Sequence, residues 1–141
     1  MTAVNPYFNF NGNTEEAFNF YKSVFGGEFQ AFMPFKDNPG CGPIPEAEQD
    51  RIMHVALPIG NGNVLMATDA LESMGKLTFG NNMYIALSPD TREEAERLFN
   101  GLSAGGKIEM PLQDMFWGSY FGSFTDKFGV QWMVDHGTEL K

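Results

Sequence analysis

The stretch YFNFNGNTEEAFNFYKSVFGG, Tyr7 to Gly27, decides the fold. Its first residues, Tyr7-Phe8-Asn9-Phe10-Asn11, alternate with period two, as a half-buried strand does. Thr14 then opens a run with Glu15 and Glu16 in its first turn, where acids suit the helix dipole, and Gly26-Gly27 ends it with residues that accept a left-handed cap. Phe10, Phe18, Tyr21 and Phe25 form one apolar face across strand and helix. The pattern predicts a strand leading into a helix with Thr14 as its N-cap.

The same pattern returns 77 residues later. Tyr84-Ile85-Ala86-Leu87-Ser88 alternates, Thr91-Arg92-Glu93-Glu94-Ala95 opens a second helix, and Gly105-Gly106 closes it. Here Thr91 and Glu94 have the spacing of a capping box. Leu87, Ala95, Leu98 and Leu102 supply the apolar face. A hairpin follows each helix. Ile52 to Ile59 and Val64 to Asp69 flank Gly60-Asn61-Gly62-Asn63, whose Asn-Gly tip suits positive φ at both positions. Tyr120 to Thr125 and Val130 to Asp135 flank Asp126-Lys127-Phe128-Gly129. Met66 and Met133 occupy matching places in the two hairpins, 67 residues apart, so the first half carries an insertion of ten residues. Pro34 to Gln49 accommodates it and reads as a mobile surface loop. The halves, at about 4–74 and about 81–136, are β-α-β-β-β modules joined through Gly75 to Gly80. Each is too small to bury its own sheet face, so together they are expected to make one domain, 1–141.

Composition agrees with a packed globular chain: 141 residues, 43% hydrophobic, with 14 Phe, 4 Tyr and 2 Trp. The net charge of −9 repels phosphate backbones and anionic lipid, so neither nucleic acid nor membrane is an expected partner. The single cysteine, Cys41, allows no internal disulfide and has no basic neighbour to activate it, so it reads as an inert loop thiol. With no signal-peptide pattern in MTAVNPYFNF, a cytoplasmic location is expected. No strand leads into a dinucleotide or phosphate glycine loop, which removes nucleotide chemistry.

The paired modules, the FYKSVFGG helix end and the TDKFG turn resemble the vicinal oxygen chelate superfamily of glyoxalase I, extradiol dioxygenases and bleomycin-resistance proteins. The blocks YFNFNGNTEEAFNFYKSVFGGEF, IMHVALPIGNGNVLMATD and MPLQDMFWGSYFGSFTDKFGVQWMV resemble its PhnB-like, 3-demethylubiquinone-9 3-methyltransferase-like branch. The resemblance implies an α+β fold whose two tandem modules form a cup-shaped mixed sheet with helices on the outer face. It also implies a homodimer, with a metal held by His and Glu from the first and last strands of each module. In this chain those positions carry Tyr7, Met66, Tyr84 and Met133. Phenols and thioethers are poor donors for the divalent metals such sites hold. The glycine-rich turn and acidic ribose partner of an S-adenosylmethionine site are also missing. No metal and no cofactor are therefore expected, and the reading is of a metal-independent binder of a small apolar or aromatic molecule.

Tyr7, Asn9, Met66, Tyr84, Gln131 and Met133 share the parity of the cup face and are the expected ligand-binding residues, with Trp117 added from the rim. They either line a pocket or fill the cup. Gln113, Phe116 and Trp117 are expected on a loop, because Pro111 and two glycines interrupt PLQDMFWGSYFG. Trp117 there either caps a ligand or buries against a second copy. His54 and Asp69 are the candidate catalytic pair: a two-residue Asn61-Gly62 turn sets them opposite each other. They would form either an oriented general base or a cross-strand bond that pins the register. By parity that pair shares a face with Ala56, Leu65 and Ala67, opposite Met66. His136 reads as solvated, and almost none of the acids is expected to face the cup. If chemistry occurs, His54, Asp69, Tyr7 or Tyr84 would carry it.

Overall fold

The computed structural model describes residues 2–38, 40 and 42–137, so Cys41 lies outside the described residues. The chain divides into two compact units, Met1–Thr78 and Phe79–Lys141, with the boundary inside the Gly75 to Gly80 segment. In the first unit the elements run β1 (Tyr7–Phe10), α1 (Thr14–Phe25), β2 (Ala31–Pro34), β3 (Ile52–Gly60) and β4 (Asn63–Asp69). The second has β5 (Ile85–Leu87), α2 (Arg92–Ser103), β6 (Lys107–Asp114), β7 (Ser119–Thr125) and β8 (Gln131–Gly137). Both are therefore βαβββ, as the repeat predicts.

The strand orders are β1-β4-β3-β2 and β5-β8-β7-β6. In each sheet the first strand runs parallel to the last and the remaining pairs are antiparallel. The result is an α+β fold of two mixed sheets, each with one face packed on its own helix. Phe10, Phe18, Tyr21, Val55, Leu57, Leu65 and Ala67 are buried on the α1 side. Leu87, Ala95, Leu98, Phe99, Leu102, Phe124, Trp132 and Val134 do the same beneath α2. Gly122 is needed for this closeness, since a Cβ there would lie 2.6 Å from the Phe99 ring and 2.9 Å from Leu112 Cα.

Two buried aspartates complete the local hydrogen bonding. Asp69 Oδ1 accepts from Gly12 N (3.0 Å), Thr14 N (3.0 Å) and Thr14 Oγ1 (2.6 Å), while Oδ2 accepts from Ile52 N (2.8 Å). One carboxylate thereby ties the start of α1 to the end of β4 and the start of β3, and its charge sits at the positive helix end. This arrangement corrects the cap assignment. Asn13 is the N-cap of α1 and Thr14 is its first helical residue, because the Thr14 hydroxyl and amide are both engaged by Asp69. Thr91 does cap α2, accepting from Glu94 N at 3.0 Å.

In the second unit Asp126 plays the comparable part inside the TDKFG turn. Its Oδ1 accepts from Phe128 N (2.8 Å) and Val130 N (3.0 Å), and its Oδ2 from the Trp132 indole (2.8 Å). The first hairpin turns through Asn61 (φ 54°) and Gly62 (φ 78°), the positive pair its sequence demands.

One loop expectation gains detail and another is replaced. The Pro34 to Gln49 stretch contains short 3-10 turns at Phe35–Asp37 and Glu46–Glu48, and it buries Phe35 and Glu48. Glu48 accepts from Glu72 N at 2.9 Å, which fastens the insertion to the segment after β4. Pro111, Leu112 and Gln113 belong to β6, not to a loop. As an edge strand, β6 tolerates the proline by shifting register between Ile108 and Met110 and again between Met110 and Gln113.

Asp69→Asn and Asp126→Asn each put an amide NH2 where buried N–H donors now converge. Each is expected to lower unfolding free energy by about 2 to 4 kcal/mol. Urea denaturation read by tryptophan fluorescence checks this; a loss within ordinary surface-mutation scatter would contradict the assigned role.

Candidate functional site

One extra residue in β3 decides what stands on the sheet face turned away from α1. Gly60 pairs with Asn63 as the two-residue turn predicts, but the register then shifts, and Pro58 pairs with Val64, Ala56 with Met66 and Val55 with Ala67. Ile59 is the bulged residue. Because side chains alternate with period two, a one-residue slip reverses the face of everything beyond it.

His54 therefore does not pair with Asp69, and the shared face expected for them is not formed. Asp69 is buried beneath α1, 1% exposed, whereas His54 stands with Ala56 and Met66 on the distal face. The signal for the bulge was present in Pro58 and Gly60, residues that sit poorly in a regular strand.

On this distal face Tyr7 of β1 lies beside Met66 of β4. Its hydroxyl meets His54 Nδ1 at 3.3 Å, and the two rings stack at 5.8 Å with planes 23° apart. Asn9 follows two residues along β1, beside Thr68, and Met33 of β2 pairs with His54. All four strands of the sheet thus bring a phenol, an imidazole and two thioethers to one surface.

In the second unit Tyr120, Gly122 and Phe124 of β7 face α2: Tyr120 donates to Glu96 at 2.8 Å, and Phe124 packs edge-on against Phe99. The alternate residues Phe121, Ser123 and Thr125 take the distal face and pair with Asp135, Met133 and Gln131 of β8. Met133 pairs in parallel with Ala86. Since Met66 pairs with Tyr7, the residue equivalent to Tyr7 is Ala86, and Tyr84 precedes β5 one step back on the same parity. The Tyr84 hydroxyl donates to Glu109 Oε1 at 2.8 Å and Thr125 Oγ1 donates to Glu109 Oε2 at 2.8 Å. Gln131 Nε2 donates to Met83 O at 2.6 Å. Acids do reach this face, contrary to expectation: Glu109 from the edge strand and Asp135 from β8.

Trp117 lies in the turn between β6 and β7 and packs edge-on against Phe121, ring centroids 6.1 Å apart. Phe116 beside it is 97% exposed. His136, read as solvated, has a partner: its Nδ1 lies 2.9 Å from Pro89 O.

The profile of the glyoxalase/bleomycin resistance protein/dioxygenase superfamily matches residues 4–134. The chain belongs to that superfamily. Protein YjdN of Escherichia coli K12 is 33% identical over 140 residues, covering 94% of this chain and 93% of its own. Among solved structures, PA1353 of Pseudomonas aeruginosa is 40% identical with a TM-score of 0.81, covering 97% of this chain and 98% of that one. A PhnB protein of Bacillus cereus, described as a 3-demethylubiquinone-9 3-methyltransferase, is 28% identical with a TM-score of 0.76, covering 96% and 100%.

For a superfamily member the strand positions expected to hold a metal can be tested by their donor chemistry. Tyr7 and Met66 in one unit, with Ala86 or Tyr84 and Met133 in the other, offer phenol, thioether and methyl groups. These do not fit a divalent metal that requires imidazole and carboxylate. Among the described residues no three His, Cys, Asp or Glu come together as a metal cluster. No described helix is long and apolar enough to cross a membrane.

Glu109 raises the Tyr84 phenol above its ordinary value, first by accepting its hydrogen bond, then with partial desolvation and charge repulsion. The neutral phenol is the favoured form in the fold. Its stabilising contribution is therefore present below the ordinary phenol value and is lost as pH rises through the raised one. Tyr120 is raised in the same direction, chiefly by its hydrogen bond to Glu96. Tyrosinate absorbance should therefore show two late-ionising tyrosines, of which only Tyr84 moves to lower pH in Glu109→Gln. An unshifted curve would exclude the contact.

Proposed function

We propose that this protein binds a small, largely apolar or aromatic molecule on the distal sheet faces without a metal. The observation that carries the reading is the set of side chains at and beside the strand positions that the superfamily resemblance marks for ligands. Tyr7, Asn9 and Met66 in the first unit, and Tyr84, Gln131 and Met133 in the second, provide rings and thioethers for packing and a few polar tips for orientation. Trp117 adds an indole against Phe121. Thioethers adapt to varied apolar shapes, and the phenols combine a flat surface with a hydrogen-bonding end.

A second reading, an enzyme that uses relocated acid and base groups, is favoured by one contact. Tyr7 Oη and His54 Nδ1 are 3.3 Å apart, so in the tautomer whose Nδ1–H donates to the phenol oxygen, Nε2 is left to accept a substrate proton. Asp69 is unsuited to that role, because its four hydrogen bonds hold the fold together. In this reading Tyr7 and His54 act together, with Tyr84 as the remaining candidate.

A thermal-shift screen of aromatic molecules in EDTA tests the main reading. A ligand at about 100 times its Kd adds about 2.7 kcal/mol of stability. The expected result is a rise in Tm that persists in EDTA and weakens in Tyr7→Ala and Met133→Ala. Tight one-to-one binding of Zn²⁺ or Ni²⁺, abolished by the same substitutions, would overturn it.

A further inference from the structure

Three Asn-Gly steps occur in this chain, Asn11-Gly12, Asn61-Gly62 and Asn100-Gly101, and the fold treats them differently. An asparagine followed by glycine is open to attack of the next backbone nitrogen on its side-chain amide carbon, because glycine has no Cβ to obstruct the approach. The reaction requires that nitrogen to give up its proton and the dihedrals around it to turn.

At Asn11 the nitrogen is held. Gly12 N donates to the buried Asp69 Oδ1 at 3.0 Å, and a negative acceptor opposes loss of that proton. Asn100 and Gly101 lie in the last turn of α2, where helical bonding engages the Gly101 amide and fixes its dihedrals.

Asn61-Gly62 has neither restraint. Both residues are exposed at the tip of the β3–β4 hairpin, with φ of 54° and 78°. Gly62 N stands inside a two-residue turn and so has no place in the ladder. Gly60 with Asn63 is the single pair that closes the tip before the register shifts at Ile59 and resumes with Pro58 and Val64. A tip closed by one pair ahead of a bulge opens locally at little free-energy cost.

We infer that Asn61 is a site of spontaneous covalent modification, deamidating through a succinimide closed by Gly62 N. That nitrogen bonds to Asn61 Cγ, its proton passes to solvent, and the side-chain nitrogen leaves as ammonia. Water then opens the ring at either carbonyl, giving aspartate or isoaspartate, and nothing is oxidised or reduced. Both products add a negative charge. Isoaspartate also adds a methylene to the main chain of the turn that sets β3 on β4, the pairing on which the placement of His54 beside Tyr7 depends.

The three steps fall in separate tryptic peptides, 1–22, 52–76 and 98–107, so mass spectrometry of the intact protein aged in mildly alkaline buffer reads each one. Peptide 52–76 is expected to gain about 1 Da at Asn61, located by fragmentation, at least about tenfold faster than Asn11 or Asn100 react in theirs. In urea the three rates should converge. The isoaspartyl product, separated by chromatography, is expected to melt lower than Asn61→Asp, which carries the charge without the methylene. Native rates at Asn11 or Asn100 within about tenfold of that at Asn61 would overturn the selection by the fold, as would a gap that persists in urea or a mass gain confined to Asn63. An isoaspartyl form as stable as Asn61→Asp would overturn the effect on register.

Discussion

The single residue Ile59 determines what the first unit's distal face can do. A regular β3–β4 ladder would have turned His54 toward α1 and set it against Asp69. The bulge places the imidazole instead beside Tyr7 and Met66. It also leaves Val55 and Leu57 on the helix side, where Ala67 and Leu65 meet them and the core closes. One pleat offset thus serves packing and surface chemistry at once, because the two faces of a strand cannot be shifted independently.

The acidic residues divide by function along the same lines. Asp69 and Asp126 act as structural acceptors, each collecting backbone or indole donors that the short loops cannot satisfy with regular secondary structure. Other acids sit in surface pairs: Arg92 holds Asp114 below the ordinary carboxylate range chiefly by its hydrogen bond, while its guanidinium lies 3.8 Å from the Tyr120 ring centroid. Glu109 and Asp135 differ from both groups because they stand among the rings and thioethers of the distal face. The net charge of −9 is therefore not only an exterior property.

Much of this was readable before any coordinates. The repeated strand-helix pattern, the Asn61-Gly62 tip and the TDKFG turn each specify local geometry strongly, so element order and both hairpins follow from them. Phe10, Phe18, Tyr21, Leu98 and Leu102 are core residues for the same periodic reason. What escaped was set by single-residue shifts and long-range bonds. The bulge at Ile59 reverses parity without any break in the hydrophobic run. Thr14 loses the cap to Asn13 because an aspartate 55 residues away engages it. The strand character of Pro111 to Gln113 was hidden by a proline that only an edge position permits. Glu109 and Asp135 carry no signal of their own, because polar residues in a strand look alike until their neighbours across the ladder are known.

Each sheet has two edge strands, β1 and β2 in one and β5 and β6 in the other, and the antiparallel edges β2 and β6 each carry a proline, Pro34 and Pro111, next to a register shift. A proline offers no amide hydrogen, and a bulge bends the strand away from straight pairing. A foreign strand approaching either edge would find its ladder interrupted within a few residues. The irregularities that make these strands hard to recognise in sequence also hinder sheet growth between molecules at these two edges, a local protection against fibril-like association in a chain this rich in phenylalanine.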